Sequence, residues 1–305
     1  MSVASVGTGA RRRTSVVPGA VLGSWVVLAA LALTALIAPA VSPADPTRQD
    51  LRGRLASPTF GATVTASGPV EGSTDASQAP RTLVGALGRD HLGRDILSRT
   101  LHALRTSLAL AAIGTLVGVT VGSLLGLLSG MAGGRVDDAI MFLVDVQIAL
   151  PFVLMALVAI AVFGTNVVVL VAIIGLAGWD GYARVVRGQV LSARSMPYVE
   201  ASRALGADDA RVALRHVLPN VGTPIVVLAS FNFTSIILLE SALSFLGLGV
   251  QPPAVSLGLM IAAGREYLLT AWWMAIVPSI VLVSITMSVG LTSDWLRDRF
   301  DPRTR

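Results

Sequence analysis

The 305-residue chain carries 23 arginines, no lysine, 18 acidic residues, three histidines and no cysteine, giving a formal charge of +5. Apolar residues make up 53% and charged residues 13%, with a mean hydropathy of +0.74, too little charge to cover a water-soluble domain of this size. Without cysteine there is no disulfide or thiolate metal site. Without lysine there is no Gly-Lys-Ser/Thr phosphate loop, and the arginines sit in loops between apolar runs, a pattern that does not suggest nucleic acid.

A spanning helix needs about 20 mostly apolar residues. The first charge-free run follows Arg11, Arg12 and Arg13. A basic head and an apolar run also describe a signal peptide. This run is longer than an h-region, and Pro39-Ala40-Val41 makes a poor cleavage site, so an uncleaved span is predicted over 18–40 after a tail of 1–17. Residues 41–105 form the next unit. The stretch 42–84 is rich in Pro, Gly, Ser, Thr and Ala and predicts an irregular loop. From Leu92, apolar residues at 96, 97, 101, 104 and 108 recur at helical steps, with Arg94, Arg99 and Arg105 between them. This predicts an amphipathic helix on the outer membrane surface that leads into the second span.

That second span is the charge-free run 106–134. The following apolar stretch is too long for one crossing. Phe163-Gly164-Thr165-Asn166 is its natural turn, giving spans over 139–162 and 167–188. Two more follow over 217–239 and 271–293, with a loop at 189–219 before the first of them and a tail at 297–305. Six spans put both termini on one side. Three arginines in the head, Arg135, six between 184 and 215 and four in the tail face one side, whereas the short loop 246–270 holds only Arg265. The positive-inside rule therefore predicts N-in and C-in.

Span 2 carries Gly114, Gly118, Gly122, Gly126 and Gly130 at four-residue spacing, which suits close helix packing, within the chain or against another subunit. Each four-residue step drifts about 40° around a helix, so the five are not expected to share one contact. Asp145 and Glu240 are acids at or near membrane depth, and such acids are candidate functional residues. The competing reading places both near helix ends, hydrated or paired with arginine. Pro151 and Pro278 predict kinks. His91, His102 and His216 are scattered and predict no metal site.

The segment between spans 4 and 5 is the most informative. Pro197 opens a short helix, Glu200 sits in its first turn and Gly206 ends it. Asp208 caps a second short helix, which Pro219 is expected to end before span 5. Two short helices at an angle make a protruding elbow that a partner could grip, although taken alone such a loop is more often a passive connector.

Glu200-Ala201-Ser202, Gly206 and Leu218-Pro219 keep the spacing of the Glu-Ala-Ala…Gly…Leu-Pro signature of ABC importer permeases. Arg215-His216-Val217-Leu218-Pro219-Asn220 resembles the dipeptide/oligopeptide/nickel branch. So do Asp90-His91-Leu92-Gly93-Arg94-Asp95, Tyr182-Ala183-Arg184-Val185-Val186-Arg187-Gly188, Glu240-Ser241-Ala242-Leu243-Ser244-Phe245-Leu246-Gly247 and the tail Asp294-Trp295-Leu296-Arg297-Asp298. The match runs in order over 85–303 and is similar to the C-type permease of that branch.

Departures are Phe142 in place of an Arg that would pair near Asp145, Arg89 for Thr, Leu257 for Trp, and an apparent insertion at 59–82. The last is expected to serve the outer binding protein or to act as a spacer.

The resemblance implies an all-α membrane protein, a six-transmembrane-helix bundle of the type I ABC importer permease fold, with its core over 106–296. It implies residence in a bacterial cytoplasmic membrane beside a homologous permease. Two ABC ATPase subunits would grip the elbows, and an extracytoplasmic solute-binding protein would deliver peptides, nickel or another small solute. It implies no cofactor on this chain, ATP being used by the partner subunits. An intramembrane enzyme is the rival class. It would need a nucleophile with a base, or clustered acids, at membrane depth. No Gly-x-Ser-x-Gly or paired histidines are present.

Overall fold

The structure, a computed structural model, describes residues 17–59 and 85–300. The 59–82 insertion beyond Thr59, and the tails before 17 and after 300, lie outside the described residues. Five helices are long and apolar enough to cross a membrane, or six when one bent pair is taken as a single span.

Helix α1 (Gly19–Val41) runs to what we term the cap end, where Ala44 N donates to Ser98 Oγ at the start of α2 (Ile96–Ala132). The predicted surface helix and second span are one continuous 37-residue helix. At 1.5 Å per residue it is about 55 Å long, well beyond the ~30 Å hydrocarbon thickness. Its first turns are buried in protein at Ile96, Ser98, Thr100, Ala103 and Leu104, because loops 42–59 and 85–95 fold over them.

At the other end of α2 the chain turns into α3 (Gly134–Ala149). Pro151 forces Leu150 into extended backbone, and α4 (Phe152–Phe163) leaves at 94° to α3. Span 3 is therefore broken rather than kinked. Asn166 Oδ1 accepts from Val169 N and caps α5 (Val167–Leu176). After a break at Ala177–Gly178 comes α6 (Trp179–Arg194).

Helix α2 and the α5–α6 pair run parallel. Gly114 lies against Ile174, and Gly130 lies against Val190. The chain must therefore climb back through α3–α4, which makes six crossings. Two short helices follow, α7 (Pro197–Ala204) and α8 (Asp209–Val212), then a π-helical turn at Ala213–Val217 that flows into α9 (Leu218–Phe245). Pro219 thus opens α9 instead of ending the preceding helix; in a first turn its missing N–H costs nothing.

At the cap end, α10 (Leu257–Gly264) packs between α9 and α11 (Trp273–Phe300). The start of α11 is tied to the cap by Trp273 Nε1 donating to Arg89 O at 3.1 Å. Its end meets the start of α1, where Trp25 and Trp295 pack edge to face. The starts of α1 and α9 and the ends of α2, α6 and α11 therefore share the end that carries α7 and α8, the elbow end.

Candidate functional site: a cavity at two helix breaks and a protruding elbow

The breaks at Leu150–Pro151 and Ala177–Gly178 face the same open cavity of about 380 Å³. Non-helical backbone at membrane depth is tolerated only inside protein or along a wet cavity, and both breaks meet that condition. Gln147 Nε2 donates to Leu176 O at 2.7 Å, satisfying a carbonyl freed where α5 ends. Gly178 has φ +92° and leaves no room for a Cβ, which would lie 2.9 Å from Asn232 Oδ1 of α9. Both facts demand glycine there. Asn232 Nδ2 is enclosed without a well-formed hydrogen bond, with the Tyr182 hydroxyl as its polar neighbour. Asp180, in the first turn of α6, lines the same space beside Ser235, and Leu150, Phe152 and Ile236 supply apolar wall.

The acids singled out in the sequence lie elsewhere. Asp145 is exposed on α3 and pairs with Arg184 of α6 at 2.8 Å. Despite Phe142, Asp145 therefore has an arginine partner, supplied by another helix. Glu240 is fully buried. Ser107 of α2 and Ser244 of α9 donate to its two oxygens at 3.1 and 2.7 Å. Ser107 also accepts from Leu257 N, so Glu240 knots α2, α9 and α10 together and does not line the cavity. Leu257, the Trp replacement, is fully buried in that knot.

Sequence reasoning missed Asp180, Gln147 and Asn232. Asp180 ends a charge-free run but lies inside the span predicted over 167–188, and its charge there was not singled out. Yet it is the fourteenth residue of the 28-residue span 167–194, and counting inward from the Asn166 turn would have placed it near mid-membrane.

From the cavity, α6 runs about 24 Å to the elbow end. There Arg187 makes a bidentate pair with Asp137 at 2.6 and 2.7 Å, and Ser129 Oγ joins the same carboxylate. Arg194 Nη1 donates to Gly130 O and Met131 O, carbonyls that the end of α2 leaves without helical partners. The elbow rests on a small core of Val186 and Val190 from α6, Val199 from α7, Val212 from α8, and Val217 and Val221 leading into α9. Gly206 ends α7 in the left-handed region, φ +85°, and Asp208 Oδ1 accepts from Arg211 N to cap α8. Glu200 and Ala201 are exposed, Ser202 is half-buried, Leu218 and Pro219 are exposed at the start of α9, and Leu205 is 90% exposed at the tip.

The cap holds the remaining motif. Asp90 accepts from Leu92 N and Arg94 N, pairs with Arg94 Nε at 2.6 Å and lies 3.5 Å from Arg99. Asp95 caps α2 through Ser98 N and Oγ. Arg89, the replacement for Thr, is paired with Asp50. Burial alone would raise the Asp50 pKa, but the hydrogen bond and charge of Arg89 hold it below the ordinary carboxylate value.

A family model described as binding-protein-dependent transport system inner membrane component matches residues 118–305. The chain belongs to this family. With its five or six apolar spans, it is a multi-pass membrane protein and a transport permease. The chain is 37% identical to the di/tripeptide transport system permease protein DppC of Pseudomonas aeruginosa over 93% of this chain and 88% of that one. It is 40% identical to the glutathione transport system permease protein GsiD of Pectobacterium atrosepticum over 72% and 73%. It is 35% identical to the oligopeptide transport system permease protein OppC of Mycobacterium bovis over 72% and 76%.

Proposed function

We propose that the chain is the membrane-spanning permease subunit of an ATP-driven importer and forms part of the path for di- or oligopeptides. A solute-binding protein delivers the cargo at the cap end, which faces outward. The elbow end, with the start of α1 and the end of α11, faces the cytoplasm. A homologous permease completes the path, and two separate ATPase subunits hydrolyse ATP, one gripping this elbow. The names of the relatives support the cargo class. The observation that carries the reading is the elbow itself. It is held on its own valine core, exposes Glu200, Ala201 and Leu205, and is joined to the cavity by α6 on one side and α9 on the other. A groove on an ATPase that moves α7 would move α6 with it. This chain contributes the path and the coupling, and no covalent step.

Glu200→Ala and Leu205→Ala test the coupling, since truncating a residue at the centre of a small docking site costs about tenfold or more. In complexes reconstituted with the partner permease, ATPases and binding protein, each should lower ATPase co-purification or stimulated hydrolysis and peptide uptake. Membrane insertion should stay at the wild-type level. Wild-type values for both variants in all three measurements would make the elbow a passive connector.

A further inference from the structure

We propose that Asp180 is the residue by which this chain holds the cationic amino terminus of a peptide in transit. The proposal rests on the peptide-importer reading. The cavity of about 380 Å³ lies within the range of small-ligand sites, roughly 300–1,000 Å³. It combines one acid, Asp180, with the amides of Gln147 and Asn232 and apolar walls from Leu150, Phe152 and Ile236. That surface offers a short peptide an anion for its ammonium, amide oxygens for its backbone N–H groups, and hydrocarbon for its side chains.

Among the described residues, Asp180 has no salt-bridge partner. Asp90, Asp137 and Asp145 each have an arginine, and Arg184, one helical turn beyond Asp180, is committed to Asp145 at 2.8 Å. A charge near mid-membrane with no counter-ion is costly. Asp180 sits in the first turn of α6, where the helix dipole favours an anion, and it lines the open cavity. A passing ammonium group supplies the missing partner. Glu240, the other acid of the bundle interior, is enclosed by serines and cannot reach cargo.

The cysteine-free chain allows a direct test. Ser235 lines the cavity, is exposed and, among the described residues, bonds back to Phe231 O, so Ser235→Cys places a label there. In the assembled complex, trialanine should protect this cysteine from a thiol reagent at concentrations about tenfold below those needed by N-acetyl-trialanine, the change expected for losing one charge-assisted contact. Asp180→Asn should remove that difference, and Asp180→Glu should restore most of it.

Equal protection by the two peptides in the Asp180 protein, no protection by either, or an undiminished difference in Asp180→Asn would overturn the proposal. Loss of complex assembly in both Asp180→Asn and Asp180→Glu would also overturn it, making Asp180 a structural residue. Uptake of trialanine by the Ser235→Cys complex separates the two readings. Normal uptake without discrimination sinks only the role of Asp180. Absence of ATP-driven peptide uptake sinks the importer reading itself.

Discussion

His91 stands in the cap with its ring stacked on Tyr267 at 5.6 Å and its Nδ1 buried without a hydrogen-bond partner among the described residues. Burial depresses its pKa below the ordinary 6.5. Asp90 opposes that shift, and Arg94, Arg99 and Arg54 reinforce it. The folded cap therefore favours the neutral ring. Its stabilising effect is complete above pH 6.5 and is lost as pH falls through the lower folded value, where the unfolded chain binds the proton more readily. The thermal unfolding midpoint of the purified protein should drop between pH 7.5 and pH 5. His91→Phe, which keeps the stack, should flatten that drop. An identical pH profile in the variant would remove His91 from the account. Arg89 shows the same local logic: a residue foreign to the family motif is absorbed by one carboxylate, Asp50, on the neighbouring loop.

At the scale of elements, the centre of the bundle is α2 against α5–α6. All five glycines of α2 face this pair. Built Cβ atoms would lie 2.4 Å from Ile174 at Gly114, 3.3 Å from Gly175 O at Gly118, 2.2 Å from Trp179 O at Gly122, 2.5 Å from Ala183 O at Gly126 and 2.7 Å from Val190 at Gly130. The 40° drift expected to separate them does not, because the partner is not one straight rod. It breaks at Gly178 and follows the four-residue ridge around α2. Lipid gives helices no hydrophobic reason to associate, so backbone approach supplies the packing. Gly126→Val should therefore destabilise the folded bundle by about 1–3 kcal/mol or prevent its assembly. Gly188→Ala on α6, whose Cβ would meet nothing within 4 Å, should be neutral or slightly stabilising. Detergent-resistant folded yield measured for both variants checks the pair; equal yields would mean the interface has slack.

At the scale of the molecule, the six crossings, the cap and the elbow fix a polarity that labelling can read. Gln49 is exposed in the cap and Leu205 is exposed at the elbow tip. With Gln49→Cys or Leu205→Cys in the otherwise cysteine-free chain, an impermeant thiol reagent added to intact spheroplasts should label the first. It should reach the second only after lysis. The opposite pattern would invert the orientation that the arginines predict.

Much of this was legible in the sequence because lipid imposes simple rules. Charge-free runs of about 20 residues mark spans, arginines mark one side, and Pro197, Glu200, Gly206 and Asp208 write out the elbow by local backbone chemistry. These signals are local, and they sufficed for α1, α7, the start of α5 and the class of fold. Three things were decided by tertiary structure. Burial under the cap made the amphipathic segment from Ile96 part of one long helix. The 94° turn at Pro151 depends on a cavity that accepts broken backbone. And whether an acid is knotted like Glu240, paired like Asp145 or left facing a cavity like Asp180 depends on what a distant helix brings to it. Period and composition describe one helix at a time, and the serines, arginines and asparagine that settle those fates arrive from other helices, up to 133 residues away along the chain.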